Sequence, residues 1–217
     1  MNNEYYLGDS LPKMKEMSDK SVDLIFTSLP DLSQTDFNND VNKYQEWQTS
    51  VMSEFVRLIK DTGFIVISQT DRKVNGFITP NHITYINGII KSDPTIKIKD
   101  EKIVVRNEVG KKDMYHFTYQ YLTTFTRKGT FKRGGEILKD IYIDNQVKCP
   151  PKTNQYCWSN EFCSLIISTF TKENDFVLDP FAAAGPVLYA AQQLNRRYWG
   201  AEISPEMYNE NFKYFGN

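Results

Sequence analysis

Apolar residues along this chain follow two kinds of spacing. Continuous apolar runs at 22–27, 63–68 and 175–178 are typical of strands that are buried on both faces of a parallel sheet. Over 44–60 the apolar residues instead recur every three or four positions, which predicts a helix with one apolar face. The two kinds of segment alternate, so we predict an α/β fold with a doubly wound sheet.

The same reading predicts most of the secondary structure. We predict strands at 5–7, 22–27, 63–68, 95–105, 119–127 and 175–178, and a last strand that ends at Glu202. We predict helices at 10–17, 44–60, 82–90, 161–170 and 186–194. Segments 28–41, 71–80 and 129–135 are predicted as loops, and Asp61-Thr-Gly63 is predicted to stop the second helix.

One unit near the C-terminal end has the order strand, tight turn, helix and strand. The first strand ends at Asp179, a turn of small residues follows, and the second strand ends at Glu202. A unit of this kind places a nucleoside cofactor over the strand ends, where the second acid reaches the ribose hydroxyls. Because this unit comes last, half of the sheet must precede it.

Motifs at both ends of the chain resemble those of the amino-methylating DNA methyltransferases. Asp179-Pro-Phe181, Gly185 and Gly200-Ala-Glu202 are similar to the family's cofactor motifs. Gly8-Asp-Ser-Leu11 and the segment 21–30 are similar to its first strand and catalytic loop. The order resembles the family's beta type, which implies a Rossmann-like sheet with circularly permuted motifs, the catalytic half first. It also implies one domain over 1–217, with a target-recognition insertion at about 73–137.

The resemblance implies S-adenosyl-L-methionine as the cofactor and gives several residues a role. Asp179 would face the ammonium group, Glu202 the ribose hydroxyls and Asp9 the adenine amine. Ser159 or Asn160 would cap a helix that presents N–H groups to the cofactor carboxylate, whereas Trp158 is interpreted as core. The remaining residues of the predicted cofactor site are Pro180, Phe181, Ala182, Gly185 and Ile203.

The cofactor loop departs from the family pattern at two positions. Ala183 replaces a glycine that lets the backbone approach the cofactor, and we expect the extra methyl group to be tolerated with a negative φ. Pro186 replaces a usual threonine in the first turn of a helix, where proline is well accommodated.

The catalytic loop is predicted to be Ser28-Leu29-Pro30-Asp31. In the resembling family the first side chain and the second carbonyl accept the two hydrogens of the target amine, and the fourth residue is an aromatic that stacks on the flipped base. Asp31 removes that aromatic surface, and Phe37 or Tyr44 are candidates to replace it. Asp31 is alternatively interpreted as a partner for a donor on an unusual base.

The expected activity is methyl transfer to an exocyclic amine of a DNA base. Ser28, together with a turn at 69–73 similar to that of some cytosine-N4 members, favours cytosine N4 over adenine N6. Two alternatives stay open. One is a catalytically degenerate partner subunit or DNA-binding protein, and the other is a related enzyme that acts on RNA, a nucleotide or a modified base.

Composition limits the other classes of function. Lys+Arg total 26 against Asp+Glu 27, so DNA contact must come from local clusters. The candidates are Arg106, Asn107, Lys111-Lys112 and the segment 127–133. The three cysteines and two histidines lack zinc-ligand spacing, and we expect no metal. We also expect no membrane span, a cytoplasmic location, and a homodimer or heterodimer partner that shares DNA recognition.

Overall fold

A central sheet flanked by helices organises the protein. The computed structural model describes residues 3–38, 40–74, 76–106, 117–130, 139–145, 147–148 and 156–209. The strands are β1 (Glu4–Leu7), β2 (Val22–Thr27), β3 (Ile59–Gln69), β4 (Arg72–Val74), β5 (Phe77–Thr79), β6 (Lys97–Arg106), β7 (Tyr119–Thr126), β8 (Ile141–Asp144), β9 (Val147–Lys148), β10 (Tyr156–Cys157), β11 (Phe176–Asp179) and β12 (Arg197–Glu202). The helices are α1 (Ser10–Glu16), α2 (Val41–Leu58), α3 (Asn81–Ser92), α4 (Asn160–Phe170) and α5 (Pro186–Gln193).

The strands of the large sheet lie in the order β1-β12-β11-β2-β3-β7-β6-β8. Strands β1, β12, β11, β2 and β3 are parallel to one another, and β7 pairs antiparallel to β3. Strand β6 is antiparallel to β7, and β8 runs parallel to β6. The predicted doubly wound α/β fold is confirmed.

The order of the strands reverses between β11 and β2. From β11 the chain passes through α5 to β12 on one side, and from β2 it passes through α2 to β3 on the other. In open α/β sheets, ligands bind outside the carboxyl ends of the strands at such a switch point. The fold therefore locates the candidate site before any side chain is considered.

Side chains of the parallel strands alternate between two apolar layers. In β2, Leu24 and Phe26 pack with residues of α4 and α5, whereas Ile25 packs with residues of α1, α2 and α3. In β3, Val66 lies in the first layer and Ile67 in the second. Burial on both faces explains why these strands are continuous apolar runs in the sequence.

Several predicted boundaries differ from the structure. Helix α2 begins at Val41 rather than 44, because the Asp40 carboxylate accepts the N–H groups of Asn42 and Lys43 and caps the helix. Strand β3 starts directly at Ile59, so Asp61-Thr-Gly63 lies within a strand and does not stop the helix.

Two further elements had no clear sequence signal. The predicted loop 71–80 contains the β4–β5 hairpin, which turns at Gly76 with φ +84°. Strand β8 was not predicted, because two of its apolar residues, Ile141 and Ile143, are exposed and the strand is short. Strands β6 and β7, which lie within the predicted insertion 73–137, are paired into the central sheet.

Gly200 in β12 allows α5 to pack closely against the sheet. A Cβ atom at this position would lie 2.7 Å from both Cδ atoms of the fully buried Leu188 and 2.9 Å from the Asp179 carbonyl oxygen. We therefore expect Gly200→Ala to lower the free energy of unfolding by about 1–3 kcal/mol through overpacking. Urea unfolding measures this change, and an unchanged midpoint would show that α5 moves away without cost.

Candidate active site

Polar side chains stand at the carboxyl ends of five neighbouring parallel strands. In order across the sheet they are Asp9 after β1, Glu202 at the end of β12, Asp179 at the end of β11, Ser28 after β2 and Gln69 at the end of β3. The structure thus brings the three predicted cofactor acids and the predicted catalytic serine to one edge of the sheet. Gln69 joins them, although sequence reasoning had noted it only as part of a turn.

Asp179 is bonded across the switch point to the neighbouring strand. Its side chain is 3% exposed and accepts hydrogen bonds from the Thr27 hydroxyl at 2.7 Å and the Phe181 N–H at 3.2 Å. Burial raises the pKa of the Asp179 carboxyl to about 7, although these two bonds oppose the rise. A cation placed beside this group would favour its ionised form. Thr27 was not predicted as a site residue, and its only signal in the sequence is that a polar residue ends an apolar strand.

Glu202 connects the end of β12 to the turn after β11. Its half-buried carboxylate accepts the N–H of Ser204 at 2.7 Å and also N–H groups of Ile203 and Ala183. Burial raises the pKa of Glu202, and these bonds partly counter the rise. The Glu202 carbonyl accepts the N–H of Gly8 at 2.9 Å, which fixes the turn that carries Asp9.

The turn after β11 is held in a strained conformation. Ala183 has φ +43° and lies in the left-handed region, so the negative φ under which the extra methyl group was expected to be tolerated is not present. The Tyr5 hydroxyl donates to the Ala183 carbonyl at 2.6 Å, and the Ala182 N–H donates to the Ala201 carbonyl at 2.9 Å. Gly185 also has a positive φ, +71°, which glycine adopts without strain.

Other predicted cofactor residues surround this turn. Pro180 is buried, and the half-buried Phe181 ring lies 5.5 Å from the Trp47 ring. Ile203 is 65% exposed beside Glu202. Asp9 is exposed and caps α1 by accepting the Leu11 N–H at 3.0 Å.

The start of α4 matches its predicted form. Ser159 is the N-cap of this helix, where its hydroxyl oxygen accepts the Phe162 N–H at 3.1 Å, and Asn160 is its first residue. Trp158 is 8% exposed and stacks on Phe26 with ring centroids 4.8 Å apart. Its interpretation as a core residue is confirmed.

The predicted catalytic loop is fixed from two sides. The half-buried Ser28 hydroxyl donates to the Gln69 side-chain carbonyl at 3.2 Å, so its lone pairs remain available to accept other donors. Leu29 is 3% exposed and anchors the loop in the core. The Pro30 carbonyl accepts the Tyr44 hydroxyl at 2.7 Å.

The two aromatic candidates for a base-stacking surface differ in exposure, since Tyr44 is buried and Phe37 is half-buried. Tyr44 is 2% exposed and its ring stacks on Trp47, so it supports the loop from below. Burial raises the pKa of its hydroxyl. Phe37 is half-buried, with its ring tilted against Trp47 at a centroid distance of 6.1 Å.

Asp31 forms an ion pair with Arg72 of the β4–β5 hairpin. The Asp31 side chain is 15% exposed and that of Arg72 is 47% exposed. The Gln69 amide also donates to Asp31, at 3.5 Å. The pKa of Arg72 is lowered, mainly by partial burial and to a smaller extent by the nearby positive charge of Arg106. Sequence reasoning had noted Arg72 only as part of the turn at 69–73, because its pairing with Asp31 depends on how the hairpin folds.

The candidates for DNA contact lie in different places. Arg106 ends β6 and donates to the Thr70 hydroxyl at 2.7 Å, close to the carboxyl edge. Arg127 lies at the opposite edge, 12% exposed, and donates to Asp93 at 2.7 Å and to the Val56 carbonyl at 2.8 Å. Arg127 is therefore held in structural contacts, at the edge of the sheet away from the candidate site. Asn107, Lys111, Lys112 and the segment 131–133 lie outside the described residues.

Metal clusters and membrane-spanning helices are both missing from the described residues. No group of three or more His, Cys, Asp and Glu side chains is arranged to hold a metal ion in the described part of the chain. No helix in those same segments is long and apolar enough to cross a membrane.

The fold and this edge define an open α/β protein with a candidate ligand site at a topological switch point. More specifically, the chain belongs to the N6/N4 DNA methylase family, whose model matches residues 22–213. This match covers most of the chain. It includes the motifs at Asp179 and Glu202 and the part of the segment 21–30 that begins at Val22.

Two curated relatives align with nearly the whole chain. The type II methyltransferase M.BglII from Bacillus subtilis is 28% identical over 243 positions, covering 94% of this chain and 66% of that protein. The type II methyltransferase M.HinfI from Haemophilus influenzae is 24% identical over 229 positions, covering 90% of this chain and 63% of that protein. The chain thus spans just under two thirds of the length of these relatives.

Solved structures share the fold at low sequence identity. The PvuII DNA methyltransferase, described as cytosine-N4-specific, has a TM-score of 0.82 and 14% identity, covering 97% of this chain and 85% of that chain. A structure described as a DNA modification methylase from Thermus thermophilus, complexed with S-adenosyl-L-methionine, has a TM-score of 0.77 and 21% identity, covering 99% of this chain and 93% of that chain.

The positive φ of Ala183 predicts a stabilising substitution. A left-handed conformation costs a non-glycine residue about 1–2 kcal/mol, so Ala183→Gly is expected to raise the free energy of unfolding by about 1 kcal/mol. For a chain of this size the melting temperature would rise by roughly 2–4 °C. Ala184→Gly, in the same turn and without a positive φ, is the control and should not stabilise. If Ala183→Gly lowered the free energy of unfolding instead, the inference that Ala183 is strained would be wrong.

Proposed function

We propose that this protein transfers a methyl group from S-adenosyl-L-methionine to an exocyclic amino group of a base in DNA. The observation that carries the proposal is the Thr27–Asp179 hydrogen bond. Thr27 immediately precedes Ser28, the proposed acceptor for the target amine, and Asp179 is the proposed cofactor acid. The two functional loops are therefore joined at the switch point, and family membership supports the same reaction.

The residues at the edge fit the chemistry of this cofactor. Asp179 is a buried carboxyl with two donors and a raised pKa, so an ammonium group is a suitable partner. Glu202 would receive the ribose hydroxyls, and the start of α4 at Ser159 and Asn160 would receive the carboxylate. Asp9 and the exposed Ile203 would hold the adenine. When bound, S-adenosyl-L-methionine supplies an electrophilic methyl group on a sulfonium.

The catalytic loop would orient the target nitrogen. Since the Ser28 proton is directed to Gln69, the Ser28 oxygen would accept one hydrogen of the amine. The Leu29 carbonyl would accept the other. Two fixed acceptors leave the nitrogen lone pair pointing in one direction, which contributes through orientation. No strong general base is needed, because the proton leaves to water after transfer.

We propose cytosine N4 in preference to adenine N6 as the target. The proposal rests on Ser28 at the first loop position and on the turn Gln69-Thr-Asp-Arg-Lys73. The β4–β5 hairpin and Arg106 lie near the carboxyl edge of the sheet, so they are candidates to recognise the DNA sequence around the target base. A dimer partner that shares recognition remains part of the proposal.

The strained Ala183 and the missing aromatic at position 31 favour one rival, a degenerate partner subunit that binds DNA without transferring a methyl group. Titration calorimetry with S-adenosyl-L-methionine separates the two. A partner subunit would bind no cofactor, whereas the enzyme would bind it and lose the binding in Asp179→Ala.

Nucleoside mass spectrometry of DNA from cells that express the protein tests the activity and names the base. We expect N4-methylcytosine with the intact protein and none with Ser28→Ala. The purified Ser28→Ala protein should bind the cofactor normally and transfer the methyl group about 100-fold more slowly or worse. Ser33→Ala, exposed on the same loop, is the matched control. N6-methyladenine would correct the base, and cofactor binding without methylation by the intact protein would refute the activity.

Cofactor binding should release a proton between pH 5 and pH 7. In the free protein the Asp179 pKa is about 7, and a bound ammonium would lower it, so binding at pH 6 displaces the proton. The apparent affinity should therefore rise with pH across this window and level off above about 7. Calorimetry in buffers of different ionisation enthalpy measures the release. Asp179→Asn should abolish it and Glu206→Gln should not.

The same group gives a stability effect of defined sign. Because the folded-state pKa is raised, the folded protein keeps a proton that the unfolded chain loses above about pH 4. The contribution of Asp179 to stability therefore falls as pH rises to about 7. Bound cofactor should reduce that fall, because the ammonium compensates the charge.

A further inference from the structure

A chain of hydrogen bonds connects the proposed acceptor Ser28 to the guanidinium of Arg72. Ser28 donates to Gln69, the Gln69 amide donates to Asp31, and Asp31 accepts from Arg72. The Arg72 side chain is 47% exposed at this point, whereas Asp31 is 15% exposed and Gln69 is 2% exposed. The arginine is therefore the outermost member of the chain.

A base whose amine is held at Ser28 also needs a surface against its ring. Bases taken out of a duplex are held by hydrogen bonds at the edge and by stacking on a planar group. Of the described side chains bonded to the predicted catalytic loop, Tyr44 and Gln69 are buried, whereas Gln34, which accepts the Asp31 N–H, is exposed and offers only a small amide plane. Phe37 lies against Trp47. Arg72 is planar, half exposed and bonded to the loop.

We propose that the Arg72 guanidinium, held by Asp31, is the planar surface on which the target base stacks. Guanidinium planes stack on bases as aromatic rings do. Asp31 acts as a positioning residue, because the ion pair orders a long side chain before the base arrives. This inference rests on the proposed function and explains why a carboxylate stands at position 31.

The alternative role for Arg72 is a contact to a DNA phosphate, which needs a positive charge but no plane. Lysine supplies the charge without the plane, so Arg72→Lys distinguishes the two roles. A purely structural role for the ion pair is separated by thermal unfolding and by cofactor affinity, because neither depends on a stacked base.

The experiment measures steady-state methyl transfer from labelled S-adenosyl-L-methionine to unmethylated genomic DNA. We expect Arg72→Lys and Arg72→Ala to lower kcat/KM for DNA by similar amounts, about tenfold to a hundredfold. Melting temperature and cofactor affinity should stay unchanged. Lys91→Ala, an exposed cation at the end of α3, is the control and should keep full activity.

Full activity of Arg72→Lys would overturn the stacking role and favour a phosphate contact. Loss of activity in Phe37→Ala, with Arg72→Ala unaffected, would assign the surface to Phe37. If the wild-type protein itself binds no cofactor and transfers no methyl group, the proposed function has failed instead, so the two failures are distinguishable.

A second variant tests the link between Arg72 and Asp31. Asp31→Tyr combined with Arg72→Ala places an aromatic ring on the loop and removes the guanidinium. We expect this double variant to recover most of the kcat/KM that Arg72→Ala loses, since the ring supplies the missing plane. A folded, cofactor-binding double variant that stays as slow as Arg72→Ala would count against the inference.

Discussion

The hydrogen bond between Thr27 and Asp179 is the interaction on which the candidate site depends. It joins two parallel strands at the point where the strand order reverses, and it is buried. A carboxyl group in this position has little water to stabilise its charge, so its pKa rises to about 7. The fold thus buries a carboxyl group that would lose its proton beside a cation. It also bonds that group to Thr27, the residue that precedes the proposed catalytic loop.

Around this bond, side chains hold the backbone of the turn after β11 by hydrogen bonds. Glu202 accepts N–H groups both from the turn after β11 and from the residues after β12, and the Tyr5 hydroxyl donates to the carbonyl of Ala183. These contacts explain how an alanine stays in a left-handed conformation.

The catalytic loop shows how one substitution is accommodated by a distant residue. Position 31 carries a carboxylate, and the nearby hairpin provides an arginine that binds it. Gln69 connects that pair to Ser28, so the acceptor and the ion pair form one polar network. Because the network members lie some forty residues apart along the chain, their relation depends on strand β3 and on the hairpin that follows it.

By itself the sequence determined the α/β class and the main strands and helices, and it proposed the acids and serine that the fold brings to one edge. Buried parallel strands leave continuous apolar runs, and the motif acids follow those runs directly. Boundaries at Asp40 and Ile59 and the short strand β8 escaped prediction, because caps and exposed edge strands carry weak patterns. The sign of φ at Ala183, the raised pKa of Asp179 and the pairing of Asp31 with Arg72 were decided only by tertiary structure. Each of these depends on contacts between residues distant in the chain, which local patterns do not record.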